Sequence, residues 1–198
     1  MTLVVTHRDR ADAMLQRLLR TARSYGVADT GLLREAFESA MAPRLEALDD
    51  DHDPRFLHPG RTALILLQDA GYAEPHGLAT AILAETESPE LSCLAGPEPD
   101  DAPSLLAARA EARALPLMAD AEELAERLLT APEPIPLVAL AEYLDQLRHL
   151  RLWAEAERVQ ACGDVAARIL VPVAERVHPV LARRYRWWVR RMVSPTAR

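Results

Sequence analysis

Apolar residues recur along nearly the whole chain at intervals of three and four, and nowhere do they alternate for long enough to make a strand. That period puts them on one stripe of an α-helix and constrains the chain to an all-α fold. Ala11, Leu15, Leu18, Leu19 and Ala22 set the first stripe, which Gly26 breaks. Asp29 stands where it can cap a second helix through Leu32, Leu33, Ala36 and Phe37. Residues 43–60 read as irregular and hold Asp49, Asp50, Asp51, His52 and Asp53. The segment RTALILLQDA, 61–70, is too apolar for a surface helix and is assigned to the centre of the core. A further buried helix is expected over 78–85, ended by Pro89, and 95–103 reads as an exposed acidic loop. Helical spacing resumes over 104–113 and 120–129 and breaks over 131–136. It returns as two long segments, 137–153 and 155–177, before a basic tail from Pro179. No repeat of fixed period is present, which argues against a solenoid.

Composition sharpens this. Of the 198 residues 49% are hydrophobic but only 5% aromatic, so the core must be mostly Leu, Ala and Val. The formal net charge of −7 disfavours general attraction to nucleic acid or to anionic membranes. All 23 basic residues are arginine, which excludes a catalytic or Schiff-base lysine. Cys93 and Cys162 are far apart and form neither a disulfide framework nor a zinc motif. The apolar run at Met1–Val5 is too short for a signal peptide, and no later run reaches membrane-spanning length. A cytoplasmic protein is the expectation.

Three stretches carry a family resemblance. In PRFLHPGRTALILL, Pro54 is followed after three residues by His58 and Pro59, which open the apolar helix. In GLATAILAETESPEL, the run Ala79, Ala81, Ile82 and Leu83 leads to Ala84 and Glu85, with Glu87, Ser88, Pro89 and Glu90 beyond. In VALAEYLDQLRHLRLW, Leu140, Ala141, Leu144, Leu147 and Arg148 surround Glu142, Tyr143, Asp145 and Gln146. A fourth segment, ARILVPVAERV, adds Pro172, Ala174, Arg176 and Val177.

Order and spacing together resemble the HD-type (p)ppGpp hydrolase domain of the RelA/SpoT family. The resemblance implies an HD-like bundle of roughly eight to ten helices forming one domain over 1–198. Its core would span about 28–178, and 179–198 would be a basic amphipathic C-terminal helix. In that family two His and two Asp hold a divalent metal, usually Mn²⁺, whose bound water attacks phosphorus. Here His58, Glu85 and Glu142 fall on ligand positions, and Ala84 stands where the second ligand His is expected. Glu85 and Glu87 are the candidate catalytic carboxylates, because Ser88 and Pro89 replace the family's Glu-Asp pair. Arg61, Tyr143 and Arg148 are the candidate substrate contacts, toward a guanine nucleotide or alarmone. Where the family has a basic stretch before its His-Pro, this chain has Asp49, Asp50 and Asp51, which would repel a pyrophosphate.

Alanine has no donor atom, and each Asp-to-Glu change lengthens an arm by one methylene against a tolerance of roughly 0.2 Å in ligand distance. The expectation is therefore a degenerate domain without hydrolase activity or bound metal, acting as a nucleotide- or protein-binding regulatory module. One alternative is an active pyrophosphohydrolase with a rebuilt carboxylate-rich site that takes Mn²⁺ or another divalent metal such as Mg²⁺ or iron, for which His52, His76 or His149 would supply the missing imidazole. Another is a purely structural helical partner.

The tail RRYRWWVRRM, 183–192, combines five Arg with Tyr185, Trp187 and Trp188. Leu181, Tyr185, Trp188 and Met192 share one helical face, and Arg183, Arg186 and Arg190 share another. That pattern predicts a docked amphipathic helix or a homo-oligomer contact rather than a nucleic-acid site.

Overall fold

A computed structural model of the chain describes residues 6–46, 55–84, 103–113, 115, 121–152 and 154–193. The protein is all-α, with no strand among the described residues. It forms two compact units, Met1–Ala114 and Leu115–Arg198. No helix of the described residues is long and apolar enough to cross a membrane.

The first unit holds α1 (His7–Ser24), α2 (Thr30–Glu46), α3 (His58–Gln68), α4 (Pro75–Leu83) and α5 (Pro103–Arg113). Thr6 caps α1 through a reciprocal pair, in which Asp9 N–H donates to Thr6 Oγ1 at 3.1 Å and Thr6 N–H donates to Asp9 Oδ2 at 2.9 Å. Those bonds to the charged carboxylate hold the Asp9 pKa below its ordinary value, the Thr6 backbone N–H being the largest cause. The helix ends before Gly26, whose φ of +76° is the left-handed conformation that glycine adopts without strain. The expected stripe is the buried one, from Ala11 to Ala22. Asp29 caps α2 as expected, accepting from the Gly31 and Leu32 N–H groups at 2.9 and 3.0 Å.

Two boundaries differ from the periodicity. Helix α2 runs on through Pro43 to Glu46, and α3 starts at His58 rather than Arg61. Both extra stretches contain a proline. At α3 that proline is Pro59, in a first turn whose N–H groups lack helical acceptors anyway, so its missing donor costs little. The same logic moves the start of α4 back to Pro75. The unbroken burial of Thr62–Leu67 makes α3 the central helix that its apolarity predicts. Helix α4 packs on α2, α3 and α5, and α1 packs on α2 and α3.

The second unit holds α6 (Ala121–Thr130), α7 (Ile135–His149), α8 (Ala156–Val165), α9 (Val171–Val177) and α10 (Pro179–Val193). The expected helix 155–177 is continuous, but five residues, Ala166–Leu170, wind as a π-helix. Pro172 sits just beyond that stretch. Having no N–H, it cannot extend the ordinary ladder, and a wider turn ahead of it relieves the clash of its ring with the preceding carbonyl. Helix α10 packs on α7, α8 and α9 through Leu181, Ala182 and Tyr185, all buried. The docked amphipathic helix read from the tail is thus present within this unit.

Candidate functional site

In the first unit, His58 is the first residue of α3 and only 3% exposed. Its Nε2 lies 3.4 Å from Thr62 Oγ1, and that hydroxyl donates to the His58 carbonyl at 3.1 Å. Gly60, two residues along, allows α1 and α2 to close on this end of the helix. A Cβ there would lie 2.5 Å from Met14 Cγ and 3.0 Å from Phe37 Cε2. Arg61 is half-buried on the same helix. Ala84 follows α4 directly and is itself buried, so the position read as a lost ligand is an apolar core position. His76, two residues ahead of the helix expected from Leu78, lies in the first turn of α4. Its Nε2 is 3.0 Å from Glu111 Oε2, which also accepts from the Thr80 hydroxyl at 3.1 Å. Glu85, Glu87, His52, Cys93 and Asp49–Asp51 lie outside the described residues.

In the second unit, α7 carries a buried polar stripe. Glu142 is fully buried, and its Oε1 accepts from the Gln146 amide at 3.0 Å. Asp145, 1% exposed, lies one turn on, and His149 Nδ1 stands 3.5 Å from its Oδ1 and 2.9 Å from its backbone oxygen. Of the two buried acids of α7, Glu142 and Asp145, it is Asp145 that the His149 ring meets. Tyr143 and Arg148 are half-buried at the same helix. Sequence reasoning missed Asp145 as an interior acid. The signal was there, since Val138, Ala141, Glu142 and Asp145 follow the i, i+3, i+4, i+7 rule of a buried stripe.

Tyr185 of α10 is fully buried over this stripe, and its hydroxyl donates to the Leu140 carbonyl. Burial first, then the charges of Tyr143 and Glu142 against the opposing Arg148, hold its pKa well above the ordinary 10.0. The unfolded chain therefore loses this proton before the folded one does. The contribution is fully present below about pH 10 and is lost as pH rises beyond it. Denaturant unfolding at pH 8 and pH 11 should show a steeper loss of stability in the wild type than in Tyr185→Phe. Equal losses would refute the assignment.

The metal site that the resemblance implies does not fit the donors described. Among the described residues no group of three or more His, Cys, Asp or Glu comes together in a way that can hold an ion. A buried methyl, with no donor atom, occupies position 84. No reaction step is therefore derived through a metal. No protein-family model, no curated protein and no solved structure matches the chain.

Proposed function

We propose that this chain is a degenerate HD-type domain that binds rather than turns over its ligand, the ligand being a guanine nucleotide or alarmone. The observation that carries the reading is Ala84, a buried methyl closing α4, on the position where the resemblance requires a metal-binding imidazole. Further support comes from a buried His58 opening the central helix, Pro59 in its first turn, and α4 packed on α3. Tyr143 and Arg148, half-buried on α7 of the second unit, are offered for phosphate or base contacts, and Arg61, half-buried on α3, is the corresponding candidate within the first unit.

The buried carboxylates of Glu142 and Asp145 favour a second reading, an active pyrophosphohydrolase with a rebuilt acidic site. Two measurements separate the readings. Purified protein loaded with Mn²⁺ and given ppGpp is expected to release no more pyrophosphate than the His58→Ala variant. A panel of guanine nucleotides is expected to raise the melting temperature, as any ligand that binds only the folded state does. Stoichiometric Mn²⁺ with turnover abolished by His58→Ala would establish the second reading instead. Neither turnover nor any thermal shift would leave a structural helical partner.

A further inference from the structure

Docking of α10 buries its apolar face, and on the polar side Arg186 pairs with Glu175 of α9 at 2.8 Å. The opposite face displays Trp187, 40% exposed, with arginines at all four positions one turn away: Arg183, Arg184, Arg190 and Arg191. The Arg191 guanidinium stacks 4.3 Å from the Trp187 ring, and Trp188 meets that ring edge-on at 4.7 Å. These contacts hold the indole in a fixed pose. Pro179–Val193 has five arginines and no carboxylate side chain, in a chain whose net charge is −7. An exposed, pre-oriented Trp among arginines has the composition of an interface hot spot.

The first unit offers a surface of opposite character. A groove of about 420 Å³ between α1 and α2 is lined by Leu15, Phe37, Met41 and Leu45 and flanked by Asp12, Glu38 and Glu46 against the cation Arg8, with Glu38 also 3.6 Å from Arg34. Its size is at the low end of ligand pockets, roughly 300–1,000 Å³. An apolar floor whose rim carries, among the described residues, three carboxylates against one arginine is acidic in balance, and it complements an indole with guanidinium groups around it. We propose that the α10 face of one copy seats Trp187 in the α1–α2 groove of a second copy, with its arginines against Asp12, Glu38 and Glu46. This inference does not depend on the HD-type reading. A second copy is preferred over a polyanion because the net charge of −7 works against approach to nucleic acid or anionic lipid. Two arginine-covered α10 faces would also repel each other. The contact must therefore join unlike surfaces.

The test is mass in solution by light scattering from about 1 to 100 µM at low salt, with helicity of every variant checked by circular dichroism. Wild type is expected to associate, less so at high salt. Trp187→Ala should weaken association at least tenfold, as should the pair Glu38→Arg and Glu46→Arg. An equimolar mixture of these two variants is expected to form a 1:1 complex, because each keeps the surface the other lacks. A wild-type mass of 21.9 kDa across the whole range would overturn the proposal. So would association that survives Trp187→Ala, or a mixture that fails to complement. Adding a single-stranded oligonucleotide or phosphatidylglycerol vesicles should leave Trp187 fluorescence unchanged. A response to either, without self-association, would assign the surface to that ligand and overturn the proposal.

Discussion

Replacing Tyr185 by alanine is expected to destabilise the second unit by about 3–5 kcal/mol, the range found for truncating a large buried aromatic. The ring is fully buried where α10 packs on α7, so truncation leaves a cavity that the surrounding helices cannot collapse onto without losing their own packing. It also removes the hydroxyl that donates to the Leu140 carbonyl. Tyr185→Phe isolates that second effect, because it keeps the ring and loses only a hydrogen bond of about 0.5–1.5 kcal/mol. Urea unfolding followed by circular dichroism checks both values. A loss below about 1 kcal/mol for Tyr185→Ala would mean that α10 is not anchored through this residue.

Gly60→Val is expected to cost about 3 kcal/mol in the first unit, at the upper end of ordinary overpacking penalties. The first added carbon alone would stand 2.5 Å from Met14 Cγ, 2.9 Å from Met14 Sδ and 3.0 Å from Phe37 Cε2. The two further methyl groups of valine have no space to enter, and α1 and α2 must be pushed from α3. Gly60→Ala should cost less, since the flexible Met14 side chain takes up most of the clash, Phe37 has to give by only a few tenths of an ångström, and alanine regains up to about 1 kcal/mol of helix propensity. The ordering Gly, Ala, Val in urea midpoint is the result to look for. Equal midpoints would show that α1 does not close over the His58 end of α3. The His-Pro-Gly turn would then have no packing role, and a ligand role for His58 would gain ground.

The helical skeleton was legible because burial in this protein follows a single period. In α1 the apolar stripe from Ala11 to Ala22 is the buried face, and the caps at Thr6 and Asp29 obey local hydrogen-bond rules. Proline was the main source of boundary error. Read as part of a break over 131–136, it pushes the start of α7 too late, whereas Pro136, like Pro59 and Pro75, lies in a first turn, where proline is tolerated. The π-helical stretch at Ala166–Leu170 was not readable at all, because a change of five residues in hydrogen-bond pattern leaves the apolar period nearly intact.

The candidate site shows the division most clearly. Local sequence by itself determined that the chain is all-α, that 61–70 is central, and that the tail is an amphipathic helix with an apolar and an arginine face. These follow from the 3.6-residue period and from capping, which act within a few residues of each other. Only tertiary structure decided that Asp145 is interior, that the His149 ring turns to Asp145 rather than Glu142, and that Ala84 is packed as core. It also decided that Tyr185 is enclosed while its neighbour Trp187 stays in solvent. Burial of a polar group and its choice of partner depend on helices far away in sequence. No spacing rule along one helix contains that information.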